Sequence, residues 1–327
     1  MPPAHSSAAP RMSGQDWLTL LLLSVLWGGT FFFAKIALAD MPPMTLVLGR
    51  VLLAALALLA WLKLRGVALP ASAHVWGAFF VLGLLNNVLP FNLIFWGQQQ
   101  LPTAIAASLA SILNATTPIF GVVIAHFLTP DEKLTRARAL GVLLGFAGVA
   151  LLLAPRLWGA ASANAALVPG MAACLTAACV YTFAGLYGRR FKAMGVAPMQ
   201  VAFGQLAASS AMMLPIAALA DRPWTLPLPG APALLALAGL AVISTAVAYV
   251  LYFHILARAG ATNLLLVTFL IPVTAILLSS AFLGETIGLA HFAAMALIGL
   301  GLACIDGRLL ARLRGSRHRE RSEATQR

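Results

Sequence analysis

Apolar runs of membrane-spanning length recur along almost the whole chain, and nothing else constrains the fold so strongly. A hydrocarbon core of ~30 Å needs about 20 apolar residues per spanning helix. Backbone polar groups cannot stay unpaired there, so such runs fold as helices. Ten runs qualify: 17–38, 43–62, 75–97, 103–127, 137–154, 167–187, 198–220, 231–254, 261–283 and 288–305. The breaks carry turn chemistry, as in "DMPP" at 40–43, "QQQLP" at 98–102 and "TPDEK" at 129–133. Only 9% of the 327 residues are charged, against about 25% in a soluble domain. The reading is an all-α integral membrane protein with ten transmembrane helices and no soluble domain.

Lys and Arg set the orientation, because cytoplasmic loops hold the excess. With the N-terminus inside, cytoplasmic segments carry Arg11, Lys63, Arg65, Lys133, Arg136, Arg138, Arg189, Arg190, Lys192 and Arg258, and the tail adds a dense run of arginines. Loops on the other side hold only Arg156 and Arg222. Both termini are expected in the cytoplasm, on a segment 1–16 and a basic tail 307–327. The tail, with seven arginines and two glutamates, supplies five of the net +12 charges. A basic tail after a last span suits anionic lipid, not nucleic acid. The three cysteines, Cys174, Cys179 and Cys304, lie in apolar runs without metal-ligand or redox spacing. No cofactor is expected.

The two halves, 17–155 and 167–306, match at an offset near 154. "PMTLVLGR" (43–50) parallels "PMQVAFGQ" (198–205), with Arg50 opposite Gln205; Pro118 parallels Pro272, and Glu132 parallels Glu285. Five spans per half is an odd number, so the second half enters from the opposite side. The charges agree: "DEKLTRAR" (131–138) is basic, and its partner "GETIGLAH" (284–291) has no Lys or Arg. Two inverted five-helix repeats place a solute site between the halves, near midmembrane.

Five plus five spans, the early "LWGGTFFFAK" (26–35), an arginine in the second span and the helix–Pro–helix–acidic–helix pattern of 104–153 repeated at 261–304 resemble the EamA-type drug/metabolite transporters. The resemblance covers about residues 17–306. It implies a helix bundle around a central cavity in a bacterial inner membrane, and export of a small organic solute such as an amino acid or drug. It also draws attention to Trp27 and Tyr181, on the spans that flank such a cavity.

Prolines locate the candidate pathway. A proline leaves the carbonyl four residues earlier unbonded. Pro118 frees Asn114, Pro90 frees Asn86, and Pro272 frees Thr268. In "LNATTP" (113–118), Ser111, Asn114, Thr117 and Gly121 share a helix face. That face either packs on a neighbour or lines the cavity. Asn86 and Asn87 point about 100° apart, so one at most faces the centre. Arg50 is a costly buried cation that suits a substrate carboxylate or phosphate. The pathway candidates are thus Asn114, Asn86, Asn87, Ser111, Thr117, Arg50, Thr268, Gln205, Trp27 and Tyr181, with kinks at Pro90, Pro118 and Pro272. Lys35 is expected to snorkel. Glu132 and Glu285 are expected to complement the N-termini of spans five and ten.

None of the nine acidic residues falls at midmembrane, so proton coupling through a buried carboxylate finds no support. An intramembrane enzyme needs a nucleophile with a base, or a metal, and no such constellation is present in the sequence. The expected function is secondary transport by alternating access; an enzyme or a channel is the alternative. The sequence does not fix the oligomeric state.

Overall fold

The computed structural model describes residues 12–128, 135–158, 167–264 and 266–306. The expectations placed on Arg11, Asp131, Glu132, Lys133 and the tail 307–327 lie outside the described residues. Among the described residues every regular element is helical. The first half contains α1 (Gly14–Ala37), α2 (Pro43–Leu64), α3 (Ala73–Gly83), α4 (Leu89–Gln100), α5 (Ala106–Asn114), α6 (Thr117–Leu128) and α7 (Arg136–Trp158). The second contains α8 (Leu167–Gly188), the short α9 (Arg190–Ala193), α10 (Pro198–Ala220), α11 (Ala231–Ala238), α12 (Ala248–Leu264), α13 (Val267–Leu283) and α14 (Leu289–Asp306). A π-helical stretch, Leu84–Val88, joins α3 to α4, and another, Gly239–Val247, joins α11 to α12.

Seven helical units among the described residues are long and apolar enough to cross a membrane: Gly14–Ala37, Pro43–Leu64, Ala73–Gln100, Ala106–Leu128, Leu167–Ala193, Pro198–Ala220 and Ala231–Gly260. Val267–Leu283 and Leu289–Ile305 are shorter apolar helices. The chain is therefore a multi-span membrane protein whose described residues form only helices and their connections.

Local chemistry sets the helix ends. Ser13 caps α1 by accepting the Asp16 N–H at 3.2 Å, and Asp16 reciprocates by accepting the Ser13 N–H at 2.9 Å. Pro43 and Pro198 open α2 and α10, where a missing N–H costs nothing. Gly284, at φ +64°, ends α13 in the left-handed conformation.

Two boundaries differ from the sequence expectation. The run at 103–127 is not one helix; it divides into α5 and α6 at Ala115–Thr116. The run at 261 is also divided. Its first residues extend α12 past Gly260, which is non-helical at φ 79° and ψ 165°, and α13 starts only at Val267. Pro118, the second residue of α6, accounts for the first break, and Gly260 for the second.

Helix packing respects the repeat. α2 packs on α10 and α7 on α14, each pair being equivalent helices of the two halves. The contact of α1 with α13 is matched by that of α8 with α5 and α6. The contact of α4 with α8 is matched by that of α1 with the α11–α12 unit. The equivalent pairs are antiparallel. Thr45, early in α2, donates its N–H and Oγ to Asp221 beyond the end of α10 at 2.7 and 2.8 Å. At the other end, Gln200 in the first turn of α10 donates to the Ala68 carbonyl beyond α2, at 2.7 Å. In the α7–α14 pair a Cβ on Gly141 would stand 2.5 Å from the Gly301 carbonyl, and one on Gly148 2.8 Å from that of Ala294. The numbers run in opposite senses, and glycine is what lets the two backbones touch.

Candidate functional site

α2 and α10 carry the repeat-equivalent residues Arg50 and Gln205, and each reaches the π-helical stretch of the opposite half. Arg50 Nε donates to Thr245 Oγ at 3.0 Å. Asn86 Nδ2 donates to Gln205 Oε1 at 2.9 Å and to the Tyr249 hydroxyl at 3.2 Å. The widened turns explain the placement. Thr245 Oγ donates to the carbonyl five residues earlier, Leu240, at 2.8 Å, which holds the hydroxyl toward Arg50. Asn86 lies within Leu84–Val88, the turn before Pro90. Wide turns of this kind are frequent at functional sites.

The cluster is polar and aromatic. The Arg50 guanidinium carbon stands 3.7 Å from the Phe91 ring centre, a cation–π contact, and 5.7 Å from that of Phe95. Tyr181 and Tyr249 lie within electrostatic range of Arg50. Beyond them Trp27 packs on Tyr252 with ring centres 5.6 Å apart, and Phe253 joins Tyr252 and Tyr249. Arg50 is only 5% exposed. Asn86, Tyr181, Tyr249 and Trp27 are partly accessible although they sit on core-facing helix faces, as expected of side chains lining an internal opening.

The structure therefore gathers Arg50, Asn86, Gln205 and Tyr181 in one neighbourhood, with Trp27 in the adjoining aromatic group, and adds Thr245 and Tyr249, which the sequence reading did not select. Asn87 goes elsewhere: it is fully buried, donating to Ser209 Oγ at 3.0 Å in the interface with α10. Ser111 is fully buried and donates to the Ser108 carbonyl at 2.7 Å. Thr117 Oγ donates at 2.7 Å to the Asn114 carbonyl that Pro118 frees. Thr116 Oγ likewise serves the Leu113 carbonyl at 2.6 Å. The hydroxyls of "LNATTP" thus repair the break between α5 and α6. Asn114 remains partly accessible, and its Oδ1 has no partner among the described residues. Thr268 and Pro272 line a separate cavity of about 220 Å³ with Ala115, Phe269 and Met295; its walls are apolar.

Lys35 and Glu285 are corrected. Lys35 does not snorkel: it pairs with Glu285 at 2.9 Å and also donates to the Thr103 carbonyl. Glu285 does serve a helix N-terminus, but that of α5 in the other half, not that of α14. It accepts the N–H groups of Ala107 and Ser108, each at 3.0 Å, and the Ser108 hydroxyl. Burial pushes this carboxyl up, but the hydrogen bonds from Ser108, Lys35 and Ala107 outweigh it and hold it below the usual value. The Thr286 N–H adds a bond to the Ala104 carbonyl at 3.1 Å, so the 284–288 turn is fastened onto the start of α5. No sequence signal ties residues so far apart. Among the described residues, no cluster of three or more His, Cys, Asp or Glu side chains could hold a metal ion.

A multi-span helical bundle with a polar cluster shared between two equivalent halves is an arrangement that membrane transporters use. The EamA-like transporter family matches residues 17–154 and 168–305, one copy in each half, and the chain belongs to that family. It is 27% identical to the uncharacterized inner membrane transporter YedA of Escherichia coli K12 over 285 residues, covering 85% of this chain and 86% of that one. It is 26% identical to the uncharacterized transporter YvbV of Bacillus subtilis over 300 residues, covering 88% and 90%, and to the protein PecM of Dickeya dadantii, covering 86% and 88%. A solved crystal structure shares the fold, with a TM-score of 0.64 at 24% identity, covering 92% of this chain and 99% of that one.

Proposed function

We propose that the chain is a secondary transporter that moves a small organic solute across a bacterial inner membrane by alternating access, in the direction of export. Its ten helical spans form two inverted five-helix repeats. Both termini lie in the cytoplasm, and the basic tail rests on anionic lipid. The solute binds between the halves, at Arg50, Asn86, Gln205, Thr245, Tyr181 and Tyr249, with Trp27 and Asn114 at the margins. The observation that carries this reading is the crossed pairing in which Arg50 bonds Thr245 and Gln205 bonds Asn86. Each half supplies part of one site, so rocking one half against the other opens that site to one side at a time. The antiparallel pairing of α2 with α10 and of α7 with α14 supports the inversion. The turn at 284–288, fastened to α5 through Glu285, supports closure at one end.

The test is solute counterflow. A solute identified by metabolite release from overproducing cells is loaded into proteoliposomes, and uptake of its labelled form is followed. A carrier gives saturable uptake that internal solute accelerates, and Asn86→Ala lowers it without lowering membrane insertion. Uptake indifferent to internal solute marks a pore and overturns the proposal.

A further inference from the structure

Arg50 is a buried cation without a counter-ion among the described residues. Its Nε is anchored by Thr245, and one face of the guanidinium is covered by Phe91. Neither terminal nitrogen is hydrogen-bonded to a described residue, and neither is among the sealed polar atoms that lack a partner. The free prongs of the fork therefore open onto accessible space. The acids that could neutralise the charge are engaged elsewhere. Asp16 pairs with Arg258 at 3.1 Å, Glu285 with Lys35, Asp221 accepts from Thr45, and Asp40 accepts the Gly230 N–H at 2.9 Å. Holding an uncompensated guanidinium inside a membrane protein is expensive. A structural role would call for a carboxylate or a ring of carbonyls around the two prongs, and neither is present among the described residues.

We infer that the solute is a small organic monocarboxylate with a flat apolar body, its carboxylate bound by the two free nitrogens of Arg50; this rests on the transport reading of the same site. The planar fork matches a carboxylate in two parallel hydrogen bonds. Charge count selects within the anions. One cation balances one negative charge, so a phosphate dianion leaves a charge uncompensated. An amino acid zwitterion brings an ammonium, and no described carboxylate at the cluster receives it. The amide of Asn86 and the hydroxyl of Tyr249 supply neutral polar contacts beside the fork. The rings of Trp27, Tyr249, Tyr252 and Phe253 supply an apolar wall for a flat body.

The experiment measures binding of radiolabelled benzoate to the purified full-length protein in nanodiscs, with unlabelled benzoate, its neutral isostere benzamide, and inorganic phosphate as competitors. Binding is expected to be saturable, with benzoate displacing the label at least about tenfold better than benzamide or phosphate. Arg50→Gln is expected to lose at least about tenfold in affinity, and Arg50→Lys, which keeps the charge but not the fork, to fall between. The wild-type competition needs no variant, so a poorly folding Arg50→Gln protein does not spare the inference. Equal competition by benzamide, absence of saturable binding, or unchanged affinity in a monodisperse Arg50→Gln protein would each overturn it. Liposomes separate the two readings. Benzoate bound through Arg50 but never exchanged leaves the anion site standing and removes transport. Saturable exchange of neutral solutes with no effect of benzoate does the reverse.

Discussion

Glu285 accepts four hydrogen bonds at once, three from α5 and one from Lys35, all of them across the boundary between the halves. Its side chain is fully buried, so removing the charge strands Lys35 and leaves the N-terminus of α5 with one neutral amide oxygen in place of two carboxylate oxygens. Glu285→Gln should destabilise the fold by about 3 kcal/mol at neutral pH, the usual consequence of breaking one side of a buried pair. The pH dependence follows from the direction of the shift. The folded-state carboxyl titrates below its unfolded value of about 4.3. Its contribution is therefore complete above that value and disappears as pH falls through the lower, folded-state value. Thermal midpoints measured from pH 7 down to pH 3 should show the wild type descending toward the Glu285→Gln variant in acid. A gap that stays constant over that range would mean the carboxylate charge is not what holds the turn to α5. The residues of "LNATTP" make the complementary point. Its proline opens the backbone, Thr117 closes the gap at 2.7 Å, and only Asn114 keeps an unsatisfied oxygen. A polar group in an apolar helix can thus be repair or site, and its hydrogen-bond partner decides which.

Among the described elements, the glycine-lined α7–α14 contact brings backbone closest to backbone. A Cβ on Gly301 would meet the Gly141 carbonyl at 2.5 Å and the Gly145 backbone nitrogen at 2.9 Å. Gly185 on α8 has nothing within 4 Å of such an atom. Gly301→Leu should therefore prevent recovery of monodisperse protein on size exclusion, because backbone cannot yield as a side chain can, while Gly185→Leu should behave as wild type. Similar profiles for the two variants would contradict the close approach. The elements also show what a sequence carries and what it hides. Apolar runs of bilayer length located the helices, and the offset that sets Arg50 opposite Gln205 found the equivalence later visible in the packing. Pro90 marked the first π-helical stretch, since a missing N–H forces the backbone to rearrange. The second, Gly239–Val247, contains no proline and has no local signal; only projection of Leu84 through the repeat lands on it. Thr245 was missed for that reason, a hydroxyl on an ordinary apolar helix, and Tyr249 was one aromatic among several with nothing local to single it out. Lys35 and Glu285 were misread because their pairing joins distant segments, and each alone looks like a residue at a helix end.

For the whole molecule, the proposed transport mechanism requires two halves of opposite orientation enclosing one polar site. Each half alone presents an incomplete cluster: Arg50 and Asn86 on one side, Gln205, Thr245 and Tyr249 on the other. Their antiparallel helices meet at α2–α10 and α7–α14, and the crossed hydrogen bonds join them at the centre. If the halves had the same orientation, the equivalent sequence segments 131–138 and 284–291 would face one side of the membrane. The direct measurement is labelling of single cysteines in intact cells with a membrane-impermeant maleimide, after Cys174, Cys179 and Cys304 are replaced by alanine. Gly288→Cys should label from outside, and Thr135→Cys only after the membrane is permeabilised. Labelling of both from the same side would contradict the inverted architecture, and with it the site that the two halves share.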